Sequence, residues 1–142
     1  AIEKMLENGY IVICGGGGGT AYIRDSYQNT LIPTDCVIDK DLVAEKIASN
    51  LKADVLIILT GVNNVYLNYK ESNETILKKV SVKELRKYIA EGKFESGTIL
   101  PKVKAAVNFI NNNPSSQVVI TSLENVREIS KREVGTIVVS EL

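Results

Sequence analysis

The stretch DVLIILT, residues 54–60, constrains the architecture most: five aliphatic residues in unbroken succession, too few for a buried helix and rich in strand formers. Such a run, with no polar alternation, suits a strand covered on both faces, the pattern of parallel sheets. QVVIT at 117–121 and TIVVS at 136–140 repeat the theme. Between these runs the apolar spacing becomes helical. Val43, Ile47 and Leu51, with Ala44 and Ala48, mark a helix over about 40–51. Val82, Leu85, Tyr88 and Ile89 mark another, opened by the capping-box pair Ser81 and Glu84. A third begins near Pro101, presents Val103, Ala106, Val107 and Ile110, and stops at NNNP. Helices alternating with apolar strands predict an α/β sheet with layered helices.

The remaining segments are shorter. Ile2, Met5 and Leu6 predict a helix ended by Asn8-Gly9, followed by a strand over residues 10–14. Residues 20–38 carry the strand-prone pieces AYI and CVI around QNT and Pro33, predicting a hairpin or an irregular excursion. After GVNNVYLNY a polar loop, KESNET, leads to a short ILKKV segment, and SLENVREI reads as a short helical piece. No repeat or linker interrupts the 142 residues, which predict one domain over 1–142.

Composition removes several function classes. Seventeen basic and seventeen acidic residues leave a formal net charge of +0 with no like-charge run, so nothing marks a nucleic-acid or membrane surface. The longest apolar run is far short of the roughly 18 residues of a membrane span. With no histidine, imidazole ligands and histidine bases are excluded, and proton transfer would rely on carboxylates, lysines or tyrosines. Cys14 and Cys36 form no ligand or disulfide spacing and sit beside apolar residues, which predicts buried free thiols and a reducing cytoplasm. The opening AIEKMLEN has neither an initiator methionine nor a leader, which suggests that the chain begins inside a larger protein.

Five consecutive glycines, Gly15 to Gly19, follow the apolar YIVI. A side-chain-free turn after a strand lets backbone N–H groups approach an anion; the alternative is a tight turn or close packing. The dinucleotide fingerprint fails because Thr20 stands where its third glycine belongs, and no Walker-type GK[ST] follows. Two lysines add to the anion reading. Lys40 falls at the start of the 40–51 helix and Lys102 in the first turn of the helix that Pro101 opens. The helix dipole opposes a cation there by about 0.3 to 1 kcal/mol, and a bound polyphosphate reverses that sign. Asp39 and Asp41, flanking Lys40, either cap the helix or hold the lysines by ion pairing. Thr60 and Gly61 end the DVLIILT strand at the sheet edge where α/β proteins bind ligands, and Tyr66 beyond them either faces an adenine or packs in the core.

Together, ICGGGGG, VIDKDLVAEKIA, ADVLIILTGVNNVYLNY, EGKFESGTILPKVKAAVNFI and VVITSLENV resemble, in order and over nearly the whole chain, the carboxyl-terminal, nucleotide-binding half of carbamate kinases, in the amino acid kinase superfamily. The resemblance implies a three-layer α/β/α sandwich with a mostly parallel central sheet. It implies phosphoryl transfer between ATP and carbamate to give ADP and carbamoyl phosphate, reversibly, with Mg²⁺ held mainly through the nucleotide phosphates, in arginine catabolism and ATP generation. Lys40 and Lys102 would contact the transferring phosphoryl group, and Asp41 would organise the lysines. Gly15, Gly16, Gly17 and Gly18 would line the phosphate and carbamate site; Thr60, Gly61, Val62, Tyr66, Ile99 and Lys102 would lie at the nucleotide. The family often has methionine in place of Ile99, an acidic residue in place of Asn64, and an Ile-Pro-Val-like run where TAYIR stands. It also implies a missing amino-terminal lobe with a further lysine and much of the carbamate site, a homodimeric full-length enzyme, and weak turnover by the chain alone.

Two other readings remain at this point: a dinucleotide-binding oxidoreductase domain, and a nucleotide-binding module without catalysis. Another superfamily kinase is the nearer alternative to a carbamate kinase. Lys40 and Lys102 discriminate, because only a kinase needs both.

Overall fold

The computed structural model describes residues 1–16, 21–131 and 134–141. From the amino terminus these form α1 (Ile2–Glu7), the hairpin strands β1 (Ala21–Arg24) and β2 (Leu31–Thr34), α2 (Lys40–Asn50), and β3 (Val55–Thr60). The short strands β4 (Val65–Leu67), β5 (Thr75–Leu77) and β6 (Lys79–Ser81) come next. Then follow α3 (Val82–Ala90), α4 (Leu100–Asn112), β7 (Gln117–Ser122), a 3-10 helix (Leu123–Lys131) and β8 (Thr136–Val139).

The central sheet has the order β3-β7-β8-β6. Strands β3 and β7 are parallel in full register, from Val55 opposite Gln117 to Thr60 opposite Ser122. Strands β6 and β8 are also parallel, and only β7 against β8 is antiparallel. This is the α/β class with a mostly parallel sheet that the sequence predicts. The chain after the glycines enters the β1–β2 hairpin, not the helix of a dinucleotide-binding βαβ unit.

Helix α4 organises the core. It packs against α2, α3 and strands β3, β7 and β8. Val103, Ala105, Ala106 and Phe109 are fully buried, and the small alanines let α2, through Ala48, approach closely. Near the carboxyl end of β7 Gly135 has φ 80°, and a Cβ there would lie 2.6 Å from the Ile120 carbonyl oxygen. Only glycine fits that approach. Beside it, the buried Thr136 hydroxyl accepts a hydrogen bond from the Val65 N–H at 2.8 Å and donates to the Leu77 carbonyl, tying the β4–β5 arm to the sheet.

Four local expectations need correction. Residues 10–14 form no strand: Ile11 and Ile13 are 96% and 99% exposed, because no neighbouring strand offers them a ladder or a covered face. The hairpin forms, but its second arm is β2 and not CVI; Pro33 sits within β2 opposite Tyr22, tolerable where a strand has a free edge. Cys14 and Cys36 are free but exposed, not buried, since the segments carrying them leave the core. In β3, Leu56 and Ile58 are buried while Ile57 and Leu59 remain 45% and 41% exposed, so within this chain only one face of that apolar run is covered. Among the described residues no helix is long and apolar enough to cross a membrane.

The capping box before α3 is fully formed. The Glu84 N–H donates to Ser81 Oγ at 3.3 Å, while Glu84 Oε2 accepts from the Ser81 N–H and hydroxyl at 2.9 and 2.7 Å. The Ser81 hydroxyl first, then its N–H, hold the Glu84 carboxyl below the usual carboxylate range, against a small opposing effect of burial. A carboxyl lowered in the folded state stabilises above its unfolded value, and that stability is lost as pH falls through the folded value. Ser81→Ala is therefore expected to cost about 1 kcal/mol near neutral pH, with the gap to wild type narrowing as the carboxyl protonates in acid. Urea denaturation at neutral and acidic pH checks both.

Candidate functional site

The sequence places two helix amino termini beside each other at the carboxyl edge of β3. The residue before α2, Asp39, has extended backbone (φ −78°, ψ 120°), which lets its carboxylate fold over the first turn and accept the N–H groups of Asp41 and Leu42 at 2.8 and 3.2 Å. Helix α4 is started differently. Pro101 lies in its first turn, Ile99 gives no capping side chain, and no acidic residue follows. Its positive end is thus unanswered from within its own turn.

The answer comes from α2. Lys102 Nζ lies 2.7 Å from Asp41 Oδ2, an ion pair whose side chains are 11% and 12% exposed and whose members stand 61 residues apart. The two readings of the aspartates thus separate: Asp39 caps, and Asp41 pairs. Its partner is Lys102. The charges also sit asymmetrically, with Asp41 where the α2 dipole favours an anion and Lys102 where the α4 dipole opposes a cation.

These ends open onto a cavity of about 530 Å³, within the size range of small-molecule sites. Lys40 and Lys102 line it, together with Thr60, Gly61, Val62, Tyr66 and Ile99, so the structure gathers every residue expected at the nucleotide and both expected lysines. A second cavity of about 320 Å³ adjoins it across Thr60, Gly61, Val62 and Tyr66. The loop between is pinned by Asn63. Its side-chain oxygen accepts from the Ser122 hydroxyl at 2.6 Å and the Asn125 amide at 3.2 Å, and its carbonyl accepts from the Thr121 hydroxyl at 3.2 Å.

The two described glycines of the run, Gly15 and Gly16, lie elsewhere. Gly15 has φ 78°, and a Cβ on it would lie 3.2 Å from Val43 and 3.3 Å from Ile47 on α2, so this glycine serves a close approach to the helix. Gly16, with φ 112°, has open space around it. Neither is among the residues lining the lysine cavity, and Gly17 and Gly18 lie outside the described residues.

Residue-by-residue reading missed Tyr69, Asn64, Glu95, Gly97 and Thr98, which also line the cavity. Tyr66 and Tyr69 stand with ring centroids 5.4 Å apart at 45°, and Lys70 Nζ lies 5.2 Å from the Tyr69 centroid. The Asn68 N–H donates to the Lys93 carbonyl at 3.3 Å, joining this aromatic wall to the loop that enters α4. The available signal was the second tyrosine in NNVYLNY and the polar ESGT before ILPK.

Removing either member of the buried pair has unequal consequences. Asp41→Ala leaves Lys102 charged against the positive end of α4 and is expected to cost about 3 kcal/mol. Lys102→Met replaces a cation by an apolar chain of similar length and leaves Asp41 at a favourable helix end, so it is expected to cost about 1 kcal/mol. Chemical denaturation of the two variants measures the order.

The model of the Amino acid kinase family matches residues 1–122. The carbamate kinase of Oenococcus oeni is 44% identical over 137 residues, covering 96% of this chain and 43% of its own length. That of Latilactobacillus sakei is 42% identical over the same shares. The structure of carbamate kinase from Giardia lamblia bound to AMP-PNP matches with a TM-score of 0.88 at 33% identity, over 99% of this chain and 48% of that one. The chain thus spans less than half the length of these relatives. With a family match over most of the sequence, a mostly parallel sheet and a lysine-lined cavity at its carboxyl edge, the chain belongs to the amino acid kinase family.

Proposed function

We propose that this chain is the nucleotide-binding portion of a carbamate kinase, which transfers the terminal phosphoryl group of ATP to carbamate and, in reverse, makes ATP from carbamoyl phosphate and ADP. The observation carrying this reading is the convergence of Lys40 and Lys102 on one cavity, with Lys102 fixed by a buried carboxylate. The AMP-PNP of the Giardia lamblia relative supports a nucleotide as the occupant.

Phosphoryl transfer asks the protein chiefly for position and positive charge. Lys102, held by Asp41, presents a fixed ammonium to the terminal phosphates. Lys40, exposed at the start of α2, supplies a second, and the uncapped N–H groups of α4 add partial positive charge. A carbamate oxygen attacks the terminal phosphorus as the bond to the ADP oxygen breaks, and charge accumulates where these groups can meet it. Thr60, Gly61, Val62 and Ile99 form the nucleoside walls, with Tyr66 offering a flat face. The carbamate side falls to Gly16, Gly17 and Gly18 of the glycine run and to the part of the relatives' length that this chain does not span.

A Mg²⁺ would enter on the nucleotide phosphates and would neutralise part of their charge there. With the carbamate kinase reading goes the proposal of a cytoplasmic role in arginine catabolism.

Calorimetric titration of the chain with ADP and Mg²⁺ tests this reading. Wild type is expected to bind ADP, and Lys40→Met and Lys102→Met each to weaken it about tenfold while adenosine binding is unchanged. Unaltered ADP affinity in both variants contradicts the assignment. Phosphoryl transfer by the 142-residue chain alone is expected to be weak or absent, read as ATP formed from carbamoyl phosphate and ADP.

A further inference from the structure

Glu95 is the single carboxylate among the residues lining the lysine cavity. A carboxylate is out of place in a pocket for polyphosphate unless it meets a different part of the ligand. It does not neutralise the lysines either: among the described residues the ion pairs are Lys102 with Asp41 and Lys87 with Glu91, and neither includes Glu95. It is nonetheless held in place. Glu95 Oε2 accepts a hydrogen bond from the Thr98 hydroxyl at 2.7 Å, and its carbonyl accepts from the Leu100 N–H at 3.2 Å. Phe94, its neighbour, is buried in the core.

Its position along the cavity follows from the chain. The hydrogen bond from Asn68 to Lys93 places residues 93–95 beside the tyrosine wall, and three residues after Thr98 the chain reaches Pro101 and then Lys102. Along the chain Glu95 thus falls between the segment bonded to the tyrosine wall and Lys102, and it shares the cavity with both. A nucleotide laid with its base on the tyrosines and its phosphates on the lysines puts its sugar between them. The sugar's hydroxyl groups are donors with no phosphate charge, and an ionised carboxylate is an acceptor only.

We propose that Glu95, oriented by Thr98, is a specificity-determining residue that accepts hydrogen bonds from the ribose hydroxyls of the bound nucleotide, selecting ribonucleotides over their deoxy forms. This rests on the nucleotide reading above. The use of a carboxylate for ribose hydroxyls has precedent in dinucleotide-binding folds, and hydrogen bonds to a charged group are the stronger kind.

The test is calorimetric titration of the chain with ADP, 2′-deoxy-ADP and 2′,3′-dideoxy-ADP, each with Mg²⁺ and with EDTA. Wild type is expected to prefer ADP over the dideoxy form by about tenfold, with or without Mg²⁺. In Glu95→Ala the preference is expected to fall below about twofold, through weaker ADP binding with dideoxy-ADP affinity unchanged. Glu95→Gln and Thr98→Val are expected to give intermediate ratios, and because Glu95 is exposed all three variants should keep the wild-type melting temperature. A wild-type ratio near one, or a tenfold ratio surviving in Glu95→Ala, overturns the proposal. So does a loss in Glu95→Ala that is equal for all three nucleotides and confined to Mg²⁺, which marks a metal contact. Absence of any ADP binding overturns the nucleotide reading and this inference with it, whereas binding without discrimination overturns this inference alone.

Discussion

The buried pair of Asp41 and Lys102 is the interaction on which the arrangement of the site depends. Two helix amino termini pointing at one cavity repel each other and any lysine between them. The aspartate in the first turn of α2 resolves that conflict for Lys102. It also couples function to fold, since the same contact that brings α2 onto α4 aims an ammonium at the carboxyl edge of the sheet. Burial of both side chains makes the contact most sensitive to loss of Asp41, because Lys102 is then left charged at a helix end that opposes it.

Farther from the cavity, a second polar contact reinforces the same helix pair. Glu45, one turn beyond Asp41 and itself buried, accepts from the Ser49 hydroxyl at 2.7 Å and from the Asn112 amide at 3.3 Å. The α2–α4 seam thus carries polar contacts at Asp41 with Lys102 and at Glu45 and Ser49 with Asn112. Such a seam fixes register as well as proximity, which apolar packing alone does less sharply. The parallel pairing of β3 with β7 then brings Thr60 and Ser122 level, so that the loop carrying Asn63 and the 3-10 helix carrying Asn125 can interlock beside the cavity.

Much of this was legible in the sequence because the signals were local. Ser81 with Glu84, Pro101, and NNNP bound their helices through capping and backbone chemistry that needs no distant partner. The placement of Lys40 and Lys102 at helix starts followed from the same periodicity. What the sequence left open required tertiary partners. Residues 10–14 have strand composition, yet a strand exists only where another pairs with it. Helix spacing alone did not tell Asp39 from Asp41 as the cap, and the extended backbone at Asp39 together with the arrival of α4 decides which one caps. Tyr69 and Glu95 share one cavity where two loops meet, joined by the hydrogen bond from the Asn68 N–H to the Lys93 carbonyl, a contact that no periodicity reveals. Gly15 illustrates the converse: a residue type suited to ligands, used at this position for packing against α2.

The account's central claim is that Lys40 and Lys102, separated in sequence, hold the terminal phosphates of one nucleotide. The most direct measurement is a crystal structure of the chain with ADP and Mg²⁺. The account predicts the β-phosphate oxygens within about 3 Å of both ammonium groups, the base against the tyrosines, and the Asp41–Lys102 pair intact. Phosphates bound away from these two lysines, with the cavity at β3 left open, would contradict it.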